Sequence, residues 1–299
     1  MPDIAILSCS PYLDPVAEGD WYHANIVKEE ALVIDALAAH GLSAARYDWA
    51  DPSIDWSQFR AAVLRTTWDY FHRYAEFSAW LDRAGAQTQL INNLPLLRWN
   101  VDKHYLLDLA AKGVGVVPTE VCEAGESLDL VSLMQQKNWS EIVFKPAVSG
   151  AARLTYRVNL QNVAEHQRIF NECVANEAML VQPFQPAVLA AGELSLIVLD
   201  GRYSHAIRKT PKAGDFRVQD DHGGTVHEYT PTAAEITFAE AATAACPSLP
   251  AYARVDMING TDGPLIMELE MIEPELFFRF HPDGTGALAA AIARQLGAV

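Results

Sequence analysis

Two charged strands joined by a glycine turn constrain this chain more than any other feature. Arg254-Val255-Asp256-Met257 leads into Asn259-Gly260-Thr261-Asp262-Gly263, and Leu265-Ile266-Met267-Glu268-Leu269-Glu270 follows. Asn-Gly and Asp-Gly between alternating apolar runs predict an antiparallel hairpin, spanning Ala253 to Ile272. Side chains alternate faces along a strand, so Glu268 and Glu270 share one face while Met267 and Leu269 take the other. Arg254 and Asp256 likewise share a face. Pairing through the turn brings three carboxylates and a guanidinium to one surface. Carboxylates gathered in this way raise one another's pKa unless a cation joins them. Hard oxygen ligands of this kind suit Mg²⁺ that also uses substrate phosphates. The competing reading is a solvent-facing hairpin of ordinary surface charge, although such a face normally mixes signs more evenly.

The 299 residues carry a formal net charge of −16, with half of them hydrophobic and a fifth charged. That length fits two or three lobes. The acidic balance argues against a nucleic-acid binder, which needs a basic stripe, and against docking on an anionic membrane. No eighteen-residue apolar run is present to span a bilayer. Met1–Leu7 lacks the basic region and long apolar core of a signal peptide. Cys9, Cys122, Cys173 and Cys246 form no C-x-x-C pair. They read as reduced, idle thiols in a cytoplasmic protein.

The first hundred residues alternate strand and helix signals. Ile4–Leu7, Ala61–Leu64 and Gln89–Ile91 read as buried strands, with helices over about Ala24 to Ala39 and Glu76 to Ala84. Residues 1–100 are therefore expected to form an open α/β lobe. Ligands in such sheets sit beyond the carboxyl ends of the strands. That rule puts Ser10 and Tyr12 on a functional rim with Arg65 and Asp69, where Arg65 suits an anionic or carbonyl group and Asp69 an ammonium. The plainer reading of Trp68 and Tyr70 beside them is core packing.

Residues 101–185 are expected to form a small α+β lobe. It begins with a helix over Asp102–Lys112 and contains the strands Ile142–Pro146 and Met179–Gln182. Pro183–Gly192 reads as a linker and Gly214–Gly224 as a mobile loop. Residues 186–299 form the expected third lobe, with the charged hairpin and a closing helix that ends near Leu296.

Lys145 ends an apolar strand and precedes the small residues Ala147-Val148-Ser149-Gly150-Ala151-Ala152. Such a loop lets backbone N–H groups approach a phosphate while the lysine supplies charge. Lys103, at a helix start, can add a second charge. A strand-end lysine that merely extends its head to water is the alternative.

Lys103, Lys145-Pro146, Val181-Gln182-Pro183-Phe184, Gly192-Glu193, Arg254-x-Asp256 and Glu268-x-Glu270 together resemble the ATP-grasp superfamily over about Lys103 to Pro274. The resemblance implies a fold of three α/β and α+β lobes with ATP between the central and C-terminal ones. It implies that Lys103, Lys145, Ser149 and Gly150 hold phosphates, that Gln182 to Phe184 meet adenine, and that Glu193 binds ribose. Arg254 would steady the transferring phosphoryl group, while Asp256, Glu268 and Glu270 would ligate Mg²⁺. Two positions depart from the family pattern. Glu270 stands where asparagine is usual, and the loop after Lys145 has a single glycine.

Ser8–Tyr12, Asp20-Trp21-Tyr22, Arg65–Tyr70 and Leu97–Lys103 are similar to the D-cycloserine synthetase family, the O-ureido-D-serine cyclo-ligases. That similarity implies ATP-driven activation of a carboxylate followed by attack of a nitrogen in the same molecule. Together with the strand-end rule above, the expected substrate residues are Ser10, Tyr12, Arg65, Asp69 and Arg254. An intermolecular amino-acid or peptide ligase and an idle ATP-binding module are the rival readings. The expected partner is a small amino-acid-like substrate, neither nucleic acid nor membrane, with self-association left open.

Overall fold

Four parallel strands open the chain, in the order Ala44–Asp48, Ile4–Ser8, Ala61–Thr66, Gln89–Ile91. The computed structural model to which they belong describes residues 1–212, 214–218 and 223–297. Ile4–Ser8 and Ala61–Thr66 are buried throughout, as continuous apolar runs in a covered parallel sheet should be. The edge strand Ala44–Asp48 has no such run and is only half-buried, which is why apolar patterning does not reveal it. The first helix covers Trp21–Ala39 and starts earlier than its apolar spacing implies. Asp20 caps it, accepting from the His23 N–H at 2.9 Å.

A second, antiparallel sheet runs Glu120–Cys122, Met179–Pro183, Glu141–Pro146, Tyr156–Asn159. Helices Leu130–Lys137 and Val163–Val174 cover one face. Ile142 and Phe144 point into that core with Phe170, so Val143 and Lys145 point away from it.

The third sheet is also antiparallel: Thr225–Glu228, Arg202–Thr210, Glu193–Leu199, Tyr252–Gly260, Gly263–Glu270. Helix Ala233–Ala244 packs on it behind a capping box of Thr232 and Glu235. Asn93–Asn100 and its surroundings tie this sheet to the first. The Asn92 side chain donates to the Tyr252 and Met271 carbonyls at 2.9 Å, and Asn100 donates to the Leu269 carbonyl at 2.7 Å. The Tyr252 hydroxyl lies 3.0 Å from the Leu64 and Ile272 carbonyls. Closing helix Gly284–Gln295 shares a core with Val33 and Leu37 of the first helix and Ile197 of the third sheet.

Two expectations change. The helix expected over Asp102–Lys112 spans only Tyr105–Ala111, after a separate helix Leu94–Asn100. Asp102 folds back on the His104 N–H at 3.1 Å, a local bond that competes with helix. Tyr105, Leu106 and Leu109 share a core with Leu196, Val255 and Leu269 of the third sheet and Leu180 of the second. The linker Pro183–Gly192 holds a short helix, Ala187–Ala191. Gly192 ends it at φ +81°, where an added Cβ would meet the Lys209 carbonyl at 2.6 Å. The loop expected at Gly214–Gly224 lies in part, at residues 219–222, outside the described residues. Among the described residues no helix is long and apolar enough to cross a membrane.

Candidate active site

Across the hairpin, Arg254 pairs in register with Glu270 and Asp256 with Glu268. Val255, Met257, Ile266 and Leu269 bury the opposite face in a core shared with Leu196 and Tyr105. The strict alternation expected for the second strand fails at one residue. Between Asp256 and Met257 the register shifts, so Met267 has no partner of its own and joins the wall of the charged cavity. A bulge of this kind re-aims one side chain, and it moves Met267 off the face expected to hold it with Leu269.

Every carboxylate on the charged face meets a cation. Arg254 binds Asp256 at 3.0 Å and also pairs with Glu270. Lys103 and Lys145 reach Glu268 at 3.2 and 3.8 Å. Lys209, buried and unremarked in the sequence, lies 2.6 Å from Glu193 and 3.2 Å from Asp256. Its only signal is register: Lys209 is the cross-strand partner of Glu193. The Ser195 hydroxyl donates to Asp256 from the neighbouring strand.

These pairs separate the acids electrostatically. Burial opposes ionisation of Asp256, yet Arg254 and Lys209 hold its pKa down to about 2. Glu268 is likewise buried, and Lys103 and Lys145 keep it below the usual carboxylate range. Glu270 goes the other way. Burial, together with Glu268, Asp256 and Glu273, pushes it up to about 8 despite Arg254. Burial lowers Lys145, while Asp256 and Glu193 outweigh burial at Lys209 and raise it.

Two cavities open on this charged face. The first, of about 150 Å³, lies between the second and third sheets. Its walls include Lys103, Lys145, Ser149, Gly150, Gln182, Phe184 and Glu193. Lys103 donates to the Ser149 carbonyl, which ties the helix start to the small-residue loop. Ala151, Ala152 and Leu154 there have φ of 48°, 54° and 48°. Backbone held in that sparsely populated region is a recurrent property of ligand clamps. Gly150 abuts the first lobe so closely that an added Cβ would sit 2.6 Å from the Phe71 ring. The Gln182 amide donates to Thr119 at 2.8 Å, and the Phe184 N–H donates to the Glu141 carbonyl at 2.9 Å. Arg157 covers the Phe184 ring at 3.8 Å. Glu193 reaches the cavity as an ion pair with Lys209.

The second cavity, of about 490 Å³, faces the first lobe. Tyr12, Tyr22, Trp68 and Phe71 wall one side, and Arg254, Glu270, Glu273 and Phe277 the other. Lys209, Arg254 and Glu270 line both cavities, as do Gly150 and Ala151. The charged face is their common seam.

Of the residues expected in a substrate pocket, Tyr12 and Arg254 line this second cavity, while Ser10, Arg65 and Asp69 do not. Ser10 is exposed at the start of a 3₁₀ turn. Arg65 is 3% exposed, donates to the Pro274 carbonyl at 3.0 Å and lies 3.8 Å from Glu29. Asp69 accepts from the Trp49 indole at 2.8 Å and from Arg73 at 2.9 Å. Arg65 ties the first lobe to the Pro274 carbonyl of the third, and Asp69 is bound within the first. All four cysteines are free and buried, and burial pushes Cys9 up to about 11, far from a reactive thiolate.

Residues 109–276 match the RimK-like ATP-grasp domain. The chain belongs to the ATP-grasp ligase family. This ATP-grasp ligase also matches the N-terminal domain of D-cycloserine synthetase DcsG at residues 4–92. It is 36% identical over 285 residues to the cycloserine biosynthesis protein DcsG of Streptomyces lavendulae, covering 88% of this chain and 92% of that protein. The crystal structure of D-cycloserine synthetase DcsG superposes with a TM-score of 0.84 at 31% identity, over 98% of this chain and 99% of that one. D-alanine–D-alanine ligase of Bacillus anthracis, in complex with ATP, shares the fold at a TM-score of 0.68 and 14% identity, over 99% and 97% of the two chains. The ATP-grasp ligase is thus an ATP-dependent enzyme with the fold that its motifs imply.

Among the described residues no three His, Cys, Asp or Glu side chains gather closely enough to hold a metal by themselves. The acids are paired with the lysines and Arg254 instead. The donor set still fits Mg²⁺, which takes one or two carboxylates and completes its shell with phosphates and water. Asp256 and Glu268 stand opposite each other across the hairpin and line the first cavity with Lys145 and Gly150.

Proposed function

We propose that this enzyme activates the carboxylate of an O-ureido amino acid with ATP and closes it into an isoxazolidinone ring, the reaction that makes D-cycloserine. The carrying observation is the shared seam. A cavity lined by Lys103, Lys145 and a small-residue loop meets a second, aromatic-walled cavity at Lys209, Arg254 and Glu270. Phosphoryl transfer needs that juxtaposition, because catalysis here is mostly positioning and charge neutralisation.

In this reading Lys103, Lys145 and the N–H groups around Ser149 and Gly150 hold the α- and β-phosphates. Gln182–Phe184 border the adenine, and Glu193 lies by the ribose. Asp256, Glu268 and Glu270 would hold Mg²⁺, which would neutralise charge on the phosphates at the transferring group. Arg254 orients the substrate carboxylate from the other cavity. A carboxylate oxygen attacks the γ-phosphorus, the bond to the β-phosphate oxygen breaks, and ADP leaves. The ureido nitrogen then attacks the acyl carbon and expels inorganic phosphate. Water removes the carbamoyl group, which leaves as carbon dioxide and ammonia.

Attack within one molecule needs no second substrate pocket and gains from entropy already spent on binding, worth roughly 7–11 kcal/mol at best. Residues 1–100 form the substrate-selecting lobe in this account, with 101–185 and 186–299 enclosing ATP. Similarity to DcsG over nearly the whole chain supports the ureido substrate. An ADP-release assay over O-ureido-D-serine and common amino acids, with product masses, tests the reading. Cyclisation gives a product lighter than the substrate. A product heavier than either amino acid supplied identifies an intermolecular ligase instead.

A further inference from the structure

Among the described residues, Glu273 is the acid of this site that no cation holds. It follows the hairpin by three residues, is 9% exposed, and lines the aromatic-walled cavity with Trp68 and Arg254. Among the described residues, no hydrogen bond or ion pair from another residue reaches its carboxylate. Its neighbours differ. Asp256, Glu268, Glu270 and Glu193 each have a lysine or arginine. Glu275, on the same cavity wall, is paired with Arg279.

Burying an anion without a counter-charge is costly, and the remedy is a cation from elsewhere. Burial raises Glu273 to about 7, with Glu268 adding to the rise against Arg254 and Lys103. The residue is nevertheless fixed in place. The Trp68 indole donates to the Glu273 carbonyl at 2.9 Å, and Tyr12 and Tyr22 pack edge-on or tilted against Trp68 at 5.3 and 5.9 Å. These rings line the cavity into which the buried carboxylate opens, and burial strengthens any charge pair formed there.

We propose that Glu273 receives the α-ammonium group of the substrate and so makes this cavity select an α-amino acid over its desamino counterpart. This rests on the reading that the second cavity holds the substrate. An α-amino acid presents an ammonium and a carboxylate on one carbon, and the cavity offers a carboxylate at Glu273 and a guanidinium at Arg254. Asp69, which sequence position marks for that ammonium, is already bound to Trp49 and Arg73. Glu273 takes its place.

Binding without turnover separates this assignment from the cyclisation chemistry. Calorimetry compares O-ureido-D-serine with 3-(ureidooxy)propanoate, and D-alanine with propanoate, each in the presence of a non-hydrolysable ATP analogue and Mg²⁺. Wild-type enzyme is expected to favour the amino member of a binding pair at least tenfold. Glu273→Gln keeps the shape and should abolish that preference with ATP-analogue affinity unchanged, while Glu275→Gln keeps the preference. A Glu273→Gln variant that retains the preference overturns the assignment. So does one that only lowers kcat, since a proton-transfer role would move kcat and leave the binding ratio alone. Binding of neither pair by the wild-type enzyme also overturns it.

Discussion

Arg254 and Glu270 face each other across the hairpin as register partners, and their ion pair stands on the seam between the two cavities. Arg254 is also bound to Asp256 and donates to the Glu275 carbonyl at 3.2 Å. One guanidinium thus organises both strands of the acidic face and the segment that follows them. Its position explains why the two halves of an ATP-driven ligation can share a single charged surface.

The acids of that face carry the first prediction. Asp256→Ala and Glu268→Ala should each lower Mg²⁺-dependent turnover at least a hundredfold, since phosphoryl transfer depends on charge neutralisation at the phosphates. Circular dichroism and thermal melting check that the fold survives. Near-normal turnover in both folded variants would take the hairpin out of the active site.

The hairpin was legible because its chemistry and its turn signals are local. Period-two alternation puts Arg254 with Asp256 and Glu268 with Glu270 on shared faces, and the turn brings those faces together. Met267 was misplaced because a bulge leaves no mark in apolar patterning. Lys209 stayed invisible for a different reason: its partners Glu193 and Asp256 are 16 and 47 residues away in sequence and meet it only through sheet pairing. Arg65 and Asp69 show the converse error. A charge at the carboxyl end of a parallel strand looks available for a ligand, but the Pro274 carbonyl and the Trp49 indole absorb these two. Glu273 lacks any local signature and becomes visible only when its neighbours are seen to be paired.

Lys145 tests the nucleotide cavity. Lys145→Met keeps the aliphatic stem and deletes the charge, and Lys103 remains beside Glu268 at 3.2 Å. Affinity for ATP should fall about tenfold or more, a loss of roughly 1.4 kcal/mol, with little change in Tm. Unchanged ATP affinity by calorimetry would make Lys145 an ordinary strand-end lysine.

Arg65 is expected to matter for stability rather than for substrate affinity. Arg65→Ala removes one of the two arginines beside buried Glu29, the other being Arg279 at 3.7 Å, and leaves the Pro274 carbonyl without its donor. The cost should be roughly 3 kcal/mol, as for other broken buried pairs. Denaturant titration measures it. A variant of unaltered stability whose substrate KM rises sharply would restore Arg65 to the substrate pocket.

His205 gives the fold a pH dependence of known sign. Its Nε2 donates to the Leu276 carbonyl at 2.7 Å and its Nδ1 lies 3.0 Å from the Ser204 hydroxyl, an arrangement for the neutral ring. Burial lowers its pKa from 6.5 to about 4. The unfolded chain therefore takes up the proton first, so this stabilisation is full above pH 6.5 and is lost as pH falls from 6.5 towards 4. The loss amounts to roughly 3 kcal/mol at most. Stability curves for wild-type and His205→Gln proteins should converge over that interval, and parallel curves would place the titration elsewhere.

Oxygen transfer tests the central claim most directly. O-ureido-D-serine carrying ¹⁸O in its carboxylate is incubated with the enzyme, ATP and Mg²⁺, and the inorganic phosphate is analysed by mass. An acyl phosphate leaves one substrate oxygen on phosphorus when the nitrogen closes the ring. The account predicts one ¹⁸O per phosphate released, in step with ADP and with a cyclic product. Unlabelled phosphate accompanying ADP would show that the carboxylate never attacks phosphorus, and the proposed chemistry would be wrong.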